Sequence, residues 1–238
     1  LLRHRTPHAQ TTVYVGGQVD YFTVFACQEV FRLLGVRHLL SDGTEGLFQE
    51  ALLQETMTGQ ESPFLTLSHI LKEDQPLFLL SGWNGLLTHP PVFQHILQKP
   101  ASNTWLIEVK ITESAQALAE KIGSDRILLI KPGTDSHLAL AIAHEILNHY
   151  PESIHQAFLE NHTHQDTFNA FKTLAQSTSF LPEEVATRIA FESTSIDNLV
   201  LAIRQIAAKL TQKDTVPIYV SGLETTAAPL GLWINILA

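Results

Sequence analysis

The chain has 238 residues, 45% of them hydrophobic and 16% charged, with a formal net charge of −9. That balance belongs to a globular protein with enough chain for a sizeable core, and its acidity argues against nucleic-acid or anionic-membrane partners, which reward clustered Lys and Arg. No apolar run reaches the roughly 18 residues of a membrane-spanning helix, and the single Cys27 excludes an intrachain disulfide or a Cys-ligated iron–sulfur cluster.

The opening residues LLRHRTPHAQ carry neither an initiator Met nor the apolar segment of a signal peptide. A piece or processed product of a longer protein, in the cytoplasm, is the expectation. TTVYVGGQ (11–18) predicts a short strand ending on glycine, and residues 20–35 a helix whose apolar spacing runs through Phe22, Phe25, Ala26, Val30, Phe31 and Leu34 up to Gly35. Cys27 lies inside that pattern, which favours a core thiol over a reactive one. Phe25, Cys27 and Phe31 are expected to be buried together. Residues 41–74 give a turn, a helical stretch EALLQETM and a lead-in to the next strand.

From residue 76 the alternation is regular. PLFLLS (76–81), TWLIEV (104–109), RILLIK (126–131) and VPIYVSG (216–222) predict strands, and the first three are followed by helices over 90–97, 112–121 and 134–149. Shorter helices SIHQAFLEN, DTFNAFKTLAQ and LPEEVATRIA come next, then a long one over 195–210, and LGLWINILA reads as a last helix. Strands that are apolar throughout and alternate with helices imply parallel pairing covered on both faces. The prediction is an α/β fold: a doubly wound, mostly parallel sheet with helices on both faces (73–238), preceded by a smaller N-terminal α/β lobe (1–72).

Three turns follow these strands. Gly82-Trp83-Asn84-Gly85 closes the first, where glycines let a backbone approach a phosphate and the next helix start offers free N–H groups. The alternative is an ordinary strand-to-helix turn, since GxGxxG is absent. Glu108 ends the second strand, where dinucleotide folds grip a ribose or base edge; a plain strand-end carboxylate reads as well. Gly133-Thr134-Asp135 closes the third, and on chemistry alone Asp135 is a helix N-cap. His144, Glu145 and His149 give HExxxH, one residue too long for two imidazoles to share a helix face, and His162 and His164 lack a third ligand at useful spacing. Asn161-His162-Thr163 fits a glycosylation triplet.

In order along the chain these pieces resemble the molybdopterin oxidoreductase family of formate dehydrogenases, nitrate reductases and dimethyl sulfoxide reductase. VYVGGQ resembles the family's strand ending in Gly-Gln, and FLLSGWNGLLTHPPVF its G-x-N-P-x-x-x-H-P element. IEVKITESA resembles D-P-R-x-x-T-E-T-A, KPGTDSHLALAIAHEIL resembles P-G-T-D-x-x-L-x-x-A-x-x-H, and IYVSGLETT stands in the place of G-M-G-x-T-Q. The resemblance implies a cradle for a molybdopterin guanine dinucleotide. Gln18 would lie near the pterin, Gly82, Trp83 and Asn84 along the pyrophosphate, Glu108 and Lys110 near the ribose-guanine end, and Gly133, Thr134 and Asp135 at the guanine edge.

The departures are specific. Asp-Pro-Arg is Glu108-Val109-Lys110, Gly85 replaces a Pro, Ser221-Gly222-Leu223 replaces Gly-Met-Gly, and Thr226 stands where a Gln is expected. The segment after Gly35 has no cysteine to ligate a metal. The expectation is a partial chain or subunit of a molybdopterin-dependent oxidoreductase, inactive by itself, that partners other subunits of a redox or one-carbon complex. The alternative is a non-catalytic subunit of the same fold with an empty cradle. A third reading is a nucleotide-binding domain such as the central one of thiamine-diphosphate enzymes. In the cradle reading the turns at 82–85, 108–110 and 133–135 converge on one edge of the sheet.

Overall fold

The computed structural model describes residues 11–16, 19–41, 72, 76–191 and 193–221. Gln18, the segments EALLQETM and SPFLTLSHILKEDQ apart from Lys72, and the stretch from Gly222 to Ala238 lie outside the described residues. The chain divides into two units, 1–62 and 63–238.

In the first unit β1 (Thr12–Val15) and β2 (His38–Ser41) pair in parallel, Thr12 opposite His38 and Val15 opposite Ser41. Parallel neighbours need a crossover, and α1 (Tyr21–Leu33) supplies it. Asp20 caps the helix by accepting the Thr23 N–H at 3.0 Å, and Gly35, at φ 81°, follows its end. The helix departs from expectation on one point. Phe25 is 54% exposed and Cys27 and Phe31 are only half-buried, because none of the described residues covers the aromatic face that the periodicity creates.

The second unit holds a four-stranded, all-parallel sheet in the order β5-β4-β3-β6, made of β3 (Pro76–Ser81), β4 (Thr104–Glu108), β5 (Ile127–Leu129) and β6 (Val216–Ser221). The pleat divides its side chains between two cores. Leu77, Leu79, Trp105, Ile107 and Leu128 face α5 (Asp135–His149), α8 (Pro182–Ile189) and α9 (Ile196–Leu210). Phe78, Leu80, Leu106 and Ile218 face the other way, against Phe93 and Ile96 of α3 (Pro90–Gln98) and Ala115, Leu118 and Ile122 of α4 (Glu113–Ile122). Every residue of β3 is buried, as a strand covered on both faces requires. The fold is therefore α/β, with helices on both faces of a parallel sheet.

α5 is apolar around most of its circumference, and its surroundings explain why. One side packs on the sheet, while Leu140, Ala143 and Leu147 pack on Ala175 of α7 (Gln165–Ala175), next to Phe168 and Phe171. A short α6 (Gln156–His162) precedes α7. A four-residue helix, α2 (Gly85–Thr88), sits between β3 and α3 and was not anticipated from the sequence. No helix among the described residues is long and apolar enough to cross a membrane.

Candidate functional site

β4 and β5 are laid on one side of β3 and β6 on the other, so the strand order reverses at β3. Parallel α/β sheets bind ligands outside the carboxyl ends of their strands near such a reversal. The chain passes from β3 into a turn at Gly82, whose φ of 59° favours glycine and whose N–H still donates to Ile107 O at 2.9 Å. β4 ends at Glu108, whose carbonyl accepts the Ile130 N–H at 2.9 Å. Beyond β5 the Lys131 N–H donates to Ile189 O at 2.8 Å, which ties the third turn to the end of α8.

In that third turn the Thr134 hydroxyl donates to Lys131 O at 2.6 Å. Gly133 has φ 76°, and no atom lies within 4 Å of where a β-carbon would stand. Only glycine combines that backbone with an open approach.

The three turns meet. A cavity of about 130 Å³ is lined by Gly82, Ile107, Glu108, Val109, Pro132, Gly133 and Asp135. Complete small-molecule sites measure about 300–1,000 Å³, so this one has room for no more than part of such a molecule. Its polar side chains are two carboxyl groups. Glu108 is 3% exposed. Asp135 opens α5 and accepts the Ser81 hydroxyl at 3.5 Å. Burial raises the pKa of Asp135, opposed by its own backbone N–H and by Ser81. Carboxylates accept hydrogen bonds, so the cavity suits a group rich in N–H donors.

Of the other candidate residues, Trp83, Asn84, Lys110 and Thr134 are not among those that line the cavity. Trp83 is buried in the core between β3, α3 and α4, with its ring 6.2 Å from Phe93 and its Nε1–H donating to His89 Nδ1 at 3.2 Å. An indole N–H can only donate, so His89 Nδ1 is the acceptor in this bond. A β-carbon on Gly85 would lie inside the Trp83 ring, which accounts for glycine at that position. Asn84 turns toward α4, accepting the Ser114 hydroxyl at 2.6 Å and donating to Glu113 Oε2 at 3.3 Å. Lys110 is exposed, and its charge contributes to holding Glu113 below the usual carboxylate range, after Glu113's own backbone N–H and Asn84. Thr134 stabilises its own turn.

Beyond the candidate residues, Ile107, Val109 and Pro132, which fall within the stretches IEVKITESA and KPGTD, line the cavity, and Ser81, which nothing in the sequence marks, reaches Asp135 from the last position of β3. Ser114 is wholly buried, although a serine in the first turn of a helix ordinarily reads as solvent-facing.

The HExxxH residues serve packing. Five positions on a helix separate side chains by about 140°, and the two histidines meet different neighbours. His144 Nδ1 lies 2.9 Å from Ala175 O, whereas His149 Nε2 is 3.8 Å from Glu145, which also lies 3.9 Å from Arg204 Nε. His137, two residues into α5, stacks near Phe180 at 6.4 Å, and burial first and Arg188 second depress its pKa.

No protein-family model matches the sequence, and no curated protein matches it significantly.

Proposed function

We propose that this chain holds the guanine end of a molybdopterin guanine dinucleotide as a partial chain or subunit of a molybdopterin-dependent oxidoreductase. The observation that carries the reading is the convergence of Gly82, Glu108, Gly133 and Asp135, far apart in sequence, on one cavity at the carboxyl edge of the sheet. A guanine edge presents an N1–H and a 2-amino group side by side, and Glu108 and Asp135 are the acceptors that would hold it. The open backbone at Gly133 admits the flat base. When bound, the group supplies metal-centred electron transfer, while this chain binds and orients it. In this reading the chain is cytoplasmic and works beside other subunits that carry the electron path.

A second reading, a non-catalytic subunit of the same fold that contacts partner chains, draws on a separate observation. The polar atoms of Trp83 and Asn84 are engaged within the fold, and the acidic Glu113 stands next to Asn84. A pyrophosphate there would depend on backbone N–H groups alone. Calorimetric titration of the full chain separates the readings. The first expects guanosine monophosphate to bind about tenfold or more tightly than adenosine monophosphate, because adenine puts an acceptor where guanine has N1–H. Molybdenum and pterin measured in protein isolated anaerobically from its source give the second arm. Absence of nucleotide affinity together with absence of metal and pterin favours the structural subunit.

A further inference from the structure

We infer that Ser114 is a positioning residue: its buried hydroxyl fixes the turn after β3 to the start of α4 and so sets the spacing of the cavity walls at Gly82 and Glu108. The inference rests on the ligand-site reading above for its consequence, but its geometry is independent of which ligand binds. Ser114 has no exposed surface. Its Oγ accepts the Leu86 N–H at 2.9 Å and donates to Asn84 Oδ1 at 2.6 Å, bridging segments 28 and 30 residues away. Asn84 Nδ2 completes the link through Glu113 Oε2 at 3.3 Å. The β3 turn is thereby held by two hydrogen bonds to a single hydroxyl on α4.

That hydroxyl is separate from the cap of α4. Thr112 caps the helix by accepting the Ala115 N–H at 3.2 Å, and its hydroxyl is no part of the hydrogen bonds that join Asn84, Leu86 and Ser114. Both partners of the hydroxyl lie just past the Gly82 wall, Asn84 by two residues and Leu86 by four, and Ser114 itself lies six residues past Glu108. Removing the hydroxyl takes from the half-buried Leu86 N–H and Asn84 oxygen the partner they share inside the fold, at a cost in free energy. The turn must then shift to recover one, and Gly82 moves with it.

Ser114→Ala and Asn84→Ala test this, with Thr112→Ala as the control that weakens the same helix without touching the link. Amide hydrogen exchange on the ligand-free protein is read away from each substitution: at Gly82 for Ser114→Ala, and at residues 107–110 for Asn84→Ala. Both amide sets are expected to exchange faster, and Gly82 is expected to be unchanged in Thr112→Ala. Guanosine monophosphate affinity should fall about tenfold in Ser114→Ala and in Asn84→Ala, should fall no further in the double variant, and should hold within about twofold in Thr112→Ala even as its Tm drops. Unchanged exchange at the remote amides overturns the inference, as does altered exchange with undiminished affinity. If the native chain binds no guanine nucleotide, the ligand reading fails while exchange still decides the role of Ser114. If Ser114→Ala does not fold, Asn84→Ala carries both readouts.

Discussion

Asp135 and Glu108 are the two carboxyl groups that line the cavity. Burial disfavours the charged form of Asp135, so its folded pKa lies above the unfolded value of about 3.9. A raised folded pKa contributes stability that is fully present below the unfolded pKa and is lost as pH rises through the folded one. Asp135→Asn removes that dependence. The variant should be more stable than the native chain at neutral pH and should show a flatter rise in Tm as the solution is acidified toward about pH 4; parallel Tm–pH curves for the two proteins would refute the argument. The same variant should bind guanosine monophosphate roughly tenfold or more weakly, since a hydrogen bond to a charged acceptor contributes about 1.5–3 kcal/mol. At Gly85 the constraint is space rather than charge. Gly85→Ala drives a methyl into the Trp83 ring, and the indole, fixed between His89 and Phe93, can move only by giving up its packing. A loss of about 1–3 kcal/mol in urea unfolding is expected. Sequence reading recognised the two glycines of GWNG as a pair with one purpose. Their reasons differ: Gly82 answers a backbone angle and Gly85 a neighbouring ring, and the second depends on which way Trp83 turns.

Helix α5 shows why elements were easier to read than sites. Its start at Asp135, its end at His149 and its apolar girth follow from residues within a single window. The strand PLFLLS is equally local, because six consecutive residues suited to a two-sided core leave little else for it to be. α2 has only four residues and makes no periodicity to detect. The burial of Cys27 in α1 was misjudged for the opposite reason: its helix has the apolar period, but a period states only that a face exists and does not supply the layer that covers it. Among the long-range contacts, His144, which the HExxxH spacing already sets aside as a metal ligand, is a strut between α5 and α7 through Ala175 O. His144→Leu keeps most of the volume and removes the donor. It should cost about 1–3 kcal/mol by leaving a buried carbonyl unsatisfied, and limited proteolysis should show earlier cutting around α7. If proteolysis there is unaltered, His144 does not hold the two helices together.

The two cores of the second unit give the molecule its mechanical plan. The sheet lies between them, one core with α5, α8 and α9 and the other with α3 and α4, and the cavity sits at its carboxyl edge, where turns from three strands meet. Such a plan ties the walls of the site across the strands, Gly82 to Ile107 and Glu108 to Ile130, and the Ser114 link to α4 adds to those bonds. It also separates the energetics of the two layers. Ile203 on α9 and Phe93 on α3 are both fully buried, on opposite sides of the sheet, in clusters that share no residue. Ile203→Val should lower stability by about 0.5–1.5 kcal/mol, and Phe93→Leu, which also leaves a small void, by a similar or somewhat larger amount. Substitutions with no common partners add to within about 0.3–0.5 kcal/mol, so the double variant should equal the sum of the two. Ile203→Val combined with Ile206→Val, both in one cluster on one helix, should deviate from additivity, since each void lets the other relax. Equilibrium urea unfolding of the three single and two double variants measures this. A coupling between Ile203 and Phe93 as large as that within α9 would mean that the sheet transmits packing strain from one face to the other, and the two cores would have to be treated as one.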